Sequence, residues 1–296
     1  MPELSVVVPS VNGFEDLRGC LEALEAQRPY VDLEIVVVDR LGESLRARVR
    51  EGFPRVRLVE VPAGTTIPQM REIGMGEASA PAIGVLEDHV IVRPGWARHM
   101  LDAIAGGAEV VGGPIENAAT DTLMDWASFL CEYSACLPPL PEGPVDWLPG
   151  NNVVYTRSVL DEHRSVIAEH KWENRLHDAI RESGTALVCR PDVVVDHKKH
   201  FTLMEYVTLR YHFSRSFAGA RVDGVPVTKR LAYALGSVIL PPLLFYRTVS
   251  RIRSKGRHTH RLAPSLPLIA VFVLAWAWGE LVGYVAGAGD SLAKVT

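Results

Sequence analysis

Two carboxylates and an imidazole stand in a row at Glu87-Asp88-His89, directly after residues 82–86, an apolar run without charge. Such groups repel one another or stay unsatisfied unless a cation or positive partner sits among them. In an extended segment Glu87 and His89, at i and i+2, share one face while Asp88 points elsewhere. One divalent ion can then take both as ligands. Oxygen and imidazole ligands at the mouth of a crevice suit a nucleoside diphosphate, whose phosphate oxygens the ion bridges. A solvated turn is the plain alternative for the same three residues.

Something must hold these groups in place. Residues 4–8, 34–38, 56–61, 82–86 and 109–111 read as short buried strands rich in β-branched residues. Between them, residues 15–26 put Leu17, Cys20, Leu21 and Leu24 on one helical stripe, and residues 67–78 read as a second helix. Strand and helix alternate as in an α/β fold with a mostly parallel sheet covered on both faces. Ligands of such sheets bind at the carboxyl ends of the strands. Here those ends run into Pro9-Ser10-Val11-Asn12, into Asp39 and into Glu87-Asp88-His89. Taken alone, Asp39 reads equally well as a helix cap or turn residue.

Composition narrows the function classes. The 296 residues are 48% hydrophobic and 22% charged, with a net charge of -4, so nothing global favours a nucleic-acid partner. Four cysteines form no CxxC pair, which argues against a zinc finger or disulfide-stapled module and for a reducing compartment. The first ten residues lack the layout of a signal peptide. No GxGxxG follows the first strand, which disfavours a dinucleotide oxidoreductase.

Mean hydropathy of +0.10 is high for a soluble enzyme, and the excess lies after residue 200. Residues 201–230 read as a connecting helix with mixed aromatic and basic groups. Residues 231–246 carry no charge but include Pro241-Pro242, and residues 266–288 are apolar but for Glu280. Between them stand Arg247, Arg251, Arg253, Lys255, Arg257 and Arg261. Positive charge beside a membrane segment favours the cytoplasmic side. The expectation is a catalytic domain over residues 1–200 on the cytoplasmic face, a re-entrant or interfacial segment at 231–246, and one span at 266–288. A pair of buried core helices is the alternative. Gly279, Gly283 and Gly287 recur every four residues and suggest a homo-oligomer contact.

The strings VVVPSVNGFEDLRGCLEAL, EIVVVDR, QMREIGMGEASAPAIGVLEDHV, WLPGNNVVYTRSVL, WENRLHDAIRESG and VVVDHKKH follow one another over about residues 4 to 200. In order and spacing they resemble the inverting family 2 glycosyltransferases of GT-A fold. The resemblance implies that Pro9 and Asp39 lie beside the nucleotide base, with Arg40 where a second aspartate usually stands. It puts Arg71 near the diphosphate and Glu87-Asp88-His89 in the Asp-x-Asp place. Glu87 and His89, with His197, would hold Mn2+ or Mg2+, and Asp88 joins the donor-binding groups. Asn151 and Asn152 would face sugar hydroxyls, and Glu173 would be the base that takes the acceptor's proton. Each also has a bland reading: a polar turn for the asparagines, a dipole-balancing first-turn acid for Glu173, a satisfied histidine in a basic turn for His197.

The activity so implied is metal-dependent transfer of a sugar from a nucleotide-diphosphate sugar to a hydroxyl of a lipid-linked or cell-envelope glycan, at a membrane. A phosphate acceptor would need no base, so Glu173 argues against polyprenyl phosphate. The departures at Arg40, His89 and Asn174 leave room for a non-catalytic binding or assembly subunit.

Overall fold

The structure, a computed structural model, describes residues 1–295. In chain order the elements begin β1 (Leu4–Ser10), α1 (Phe14–Glu25), β2 (Leu33–Asp39), α2 (Glu43–Gly52), β3 (Arg57–Glu60), α3 (Ile67–Glu77) and β4 (Ala82–Leu86). Next come β5 (Val90–Val92), α4 (Trp96–Ala105), β6 (Val110–Gly112), β7 (Ile115–Asn117), α5 (Leu123–Tyr133), β8 (Gly143–Val145) and β9 (Asn152–Thr156). The chain continues through α6 (Arg157–Glu162), α7 (Arg164–Ile167), α8 (Glu173–Glu182), β10 (Leu187–Cys189) and β11 (Val195–His197). It finishes with α9 (Leu203–Arg221), α10 (Val227–Gly236), α11 (Leu240–Lys255) and α12 (Thr259–Ala286).

The chain divides into two compact units. The first comprises Met1–Ala118 and Pro138–Lys198. Its large sheet has the order β3-β2-β1-β4-β9-β6-β10-β8, and a small one has the order β5-β11-β7. Strands β3, β2, β1 and β4 are parallel, whereas β9 runs antiparallel between β4 and β6. Every residue of β1 is buried, as a strand covered on both faces requires. Helix α3 starts with a Thr66–Gln69 capping box and a proline in its first turn. It lies so close to the sheet that a Cβ on Gly74 would overlap the Val7 side chain. That approach fixes Arg71, one turn earlier, over the carboxyl end of the strands.

The second unit comprises Ala119–Leu137 and the chain from Lys199 onward. Residues 119–137 join the C-terminal helices because α5 packs against α12. Residues 203–221 do not merely connect: α9 lies along α12. Instead of breaking the helix, Pro241 and Pro242 occupy the first turn of α11, where a missing N–H leaves no bond unmade. Val227–Lys255 and Thr259–Ala286 are each long and apolar enough to cross a membrane.

The glycine repeat is used inside the chain. A Cβ on Gly279 would overlap Ser214 Oγ, and one on Gly283 would sit 2.6 Å from the Arg215 carbonyl oxygen. Gly279 and Gly283 thus let α9 approach α12, whereas a Cβ on Gly287 would meet nothing within 4 Å. Glu280 is buried and accepts hydrogen bonds from Trp276 Nε1 and Tyr284 Oη, both at 2.6 Å. A carboxylate in an apolar helix is thereby satisfied by its own neighbours.

Candidate active site

Register brings the strand ends level: Ser10 pairs with Asp39, and Val7 pairs with Val85 on the other side of β1. Beyond β4 the chain turns instead of staying extended as the sequence suggests: the Val90 amide donates to the Glu87 carbonyl at 3.1 Å, and within this turn Asp88 is directed inward. Asp88 is fully buried. Its Oδ2 accepts from the amides of Val11 at 2.7 Å and Asn12 at 2.8 Å, and its Oδ1 from Asn12 Nδ2 at 2.6 Å. Burial raises its proton affinity, but the hydrogen bonds from His89, Asn12 and Val11 outweigh it and hold the carboxyl below its usual range.

On the opposite side, Glu87 and His89 meet His197, which β11 delivers by pairing antiparallel with β5. Nε2 of His89 lies 2.8 Å from Nε2 of His197 and 3.4 Å from Glu87 Oε2. One ligand atom from each of the three residues falls within 4.8 Å of the others. His89 Nδ1 is 3.0 Å from Asp88 Oδ1, the carboxylate–imidazole contact that orients a ligating histidine. Two imidazole nitrogens and a carboxylate oxygen suit a divalent first-row ion, and the arrangement fits one. The electrostatics agree. Burial lowers the proton affinity of His89, yet Asp88 and Glu87 reverse this and raise its pKa to about 9. Burial raises Glu87, but His89, His197 and Arg71 bring it down to about 2.

Glu173 opens α8 without a side-chain cap before it. Its Oε2 lies 2.8 Å from Nη1 of Arg71, whose Nη2 is 3.9 Å from Glu87 Oε1. The carboxylate rests on Gly150, where a Cβ would overlap its carbon and stand 2.8 Å from Oε1. The next residue, Asn151, donates from Nδ2 to Glu87 Oε2 at 2.8 Å. A cleft beside Glu173 is lined by Pro68, Met75, Tyr155, Ile167, Trp172 and Leu176. Beneath it Tyr155 Oη and His177 Nε2 are 2.7 Å apart, and burial pushes His177 down to about 4.

Of the residues singled out in the sequence, Glu87, His89, His197, Arg71, Glu173 and Asn151 are brought together. Asp88 braces the group from behind. Pro9 is buried in β1. Asp39 is buried, and its carboxylate accepts from the amides of Leu41 and Gly42 and from Arg46 Nη1 at 3.0 Å. The side chain therefore closes its own loop. Asn152 is fully buried, accepting from Trp96 Nε1 and donating to the carbonyls of Pro114 and Val193. Those bonds tie it to the fold instead of a sugar hydroxyl. Arg40 is buried, with Nη1 donating to the Thr65 carbonyl. Sequence reasoning named Asn12 only as part of the end of the first strand and missed the parts of Arg46 and Gly150. Only Gly150, in a Pro-Gly-Asn-Asn turn, carried a signal, since such a glycine marks close backbone approach.

The fold defined by this sheet order is GT-A, and residues 5–143 match the family model "Glycosyl transferase family 2". The match covers a little under half of the chain. Over 124 residues the chain is 28% identical to the succinoglycan biosynthesis protein ExoO of Rhizobium meliloti, covering 41% of this chain. The match spans about a third of the relative, 35% of its length. Among solved structures, the mannosyltransferase PcManGT from Pyrobaculum calidifontis, in complex with GDP-Man and Mn2+, aligns with a TM-score of 0.56 at 15% identity, over 95% of this chain and 87% of that one. S. aureus TarS 1-349 aligns with a TM-score of 0.51 at 13% identity, over 95% and 90%. At these identities the two structures share the fold.

Proposed function

We propose that the chain is a metal-dependent inverting glycosyltransferase that moves a sugar from a nucleoside-diphosphate sugar to a hydroxyl of a lipid-linked or cell-envelope glycan. The observation that carries this reading is the convergence of Glu87, His89 and His197 on one point, with Glu173 joined to them through Arg71. Held by those three ligands, Mn2+ or Mg2+ would supply positive charge to the diphosphate leaving group. Glu173 accepts the proton of the acceptor hydroxyl as its oxygen attacks the anomeric carbon from the face opposite the diphosphate. Asn151 keeps the Glu87 carboxylate turned to the histidines, and Asp88 fixes the ring of His89.

The Mn2+ and GDP-Man bound by PcManGT support a nucleotide-sugar donor with a metal, and the succinoglycan role of ExoO supports a glycan product. The two long apolar helices support attachment to a membrane, with the arginines between them on the cytoplasmic side.

A thermal-shift screen of nucleotide sugars with Mn2+ or Mg2+ tests the donor, because only a ligand of the native state raises the melting point. The expected result is a shift with at least one nucleotide sugar that needs the metal, and its turnover lost in Glu173→Ala and His89→Ala. Turnover surviving unchanged in both variants would overturn the assignment.

A further inference from the structure

Arg71 was expected at the donor's diphosphate, yet its guanidinium lies between two carboxylates. Nη1 grips Glu173 at 2.8 Å and Nη2 faces Glu87 at 3.9 Å. The side chain is only 9% exposed, and Nε is buried without a hydrogen-bond partner. Two other contacts hold the same pair of acids. Gly150 gives Glu173 its seat and Asn151 bonds Glu87, so adjacent loop residues repeat the link that Arg71 makes.

We propose that Arg71 is the positioning residue of the base: it aims the Glu173 carboxylate from its seat on Gly150 and locks it to the Glu87 carboxylate. The inference rests on the reading of Glu173 as base and adds what holds that base. The other charged or titratable groups near Glu173 are Tyr155 on β9, His177 on α8, and Glu72, Lys171 and Arg175 around the cleft. Glu72 is paired with His170, and Lys171 and Arg175 are each paired with Glu169. Arg71 is therefore the cation bonded to the base.

The test uses the full chain with Mn2+ and whichever of UDP-glucose, UDP-N-acetylglucosamine or GDP-mannose it hydrolyses fastest, water standing in for the acceptor. Arg71→Gln should lower kcat at least about 10-fold while donor KM stays within about 3-fold. Arg71→Lys, which keeps the charge, should restore part of kcat. Gly150→Ala, which displaces the carboxylate with Arg71 intact, should lower kcat without changing calorimetric binding of the matching nucleoside diphosphate. It decides the matter if Arg71→Gln does not fold.

A raised donor KM with unchanged kcat in Arg71→Gln would overturn the inference in favour of a diphosphate contact. So would a fully active Gly150→Ala. Retained hydrolysis in Glu173→Gln is a different failure, that of the base itself.

Discussion

Nε2 of His89 and Nε2 of His197 face each other at 2.8 Å, with Glu87 Oε2 at 3.4 and 3.9 Å from them. Two imidazole nitrogens this close share one proton or offer two lone pairs to one ion. One Mn2+ per chain is expected by calorimetry, and chelation should stop donor turnover until Mn2+ is restored. Asp88→Asn weakens the orienting contact to His89 and should cost about 10- to 100-fold in Mn2+ affinity. His197→Ala removes a ligand outright and should cost more.

Asn151 and Asn152 are neighbours with different roles, and substitution separates them. Asn152→Ala leaves Trp96 Nε1 and two carbonyls without their partner. Stability should fall by about 3 kcal/mol, read as a lower melting temperature. Asn151→Ala frees Glu87 to rotate, so Mn2+ affinity should drop with little change in melting.

His177 makes stability depend on pH. Its folded pKa, about 4, lies below the ordinary 6.5, chiefly because burial disfavours the imidazolium. The unfolded chain therefore binds the extra proton. The stabilising contribution is complete above about pH 6.5 and is lost as pH falls toward 4, amounting to about 3 kcal/mol. Melting curves between pH 7.5 and 4.5 should show this loss, and His177→Gln should flatten it. Equal slopes in both proteins would contradict the burial argument.

Gly283→Leu drives a side chain into the backbone of α9 at Arg215. The expected effect is destabilisation of the α9–α12 pair by about 1–3 kcal/mol, seen as earlier melting in detergent. Chemical cross-linking patterns of the two proteins should match, since the glycine face is already covered within the chain.

Much of the first unit was legible. Uncharged β-branched runs such as residues 4–8 and 35–38 admit few readings other than buried strands, and the polar groups that end them marked the crevice. A strand leading into His197 is legible at residues 192–196, but its partners β5 and β7 are three-residue strands too short to show a period, so the small sheet they form with it is not. The antiparallel insertion of β9 is likewise a matter of long-range pairing. The same limit hid the Arg71–Glu173 bond, which joins residues 102 apart in sequence. Asp39 looked available because its partner Arg46 reads locally as one more exposed helix arginine. At Pro241-Pro242 the prolines signalled a break, whereas the preceding 3-10 turn let them begin a helix.

Residues 150, 151 and 152 serve in turn as the seat of one acid, the tether of another and a pin into the core. Inserting or deleting a single amino acid here would hand each task to the wrong neighbour at once. Divergence toward new acceptors must then keep the length of this turn and accumulate in other loops.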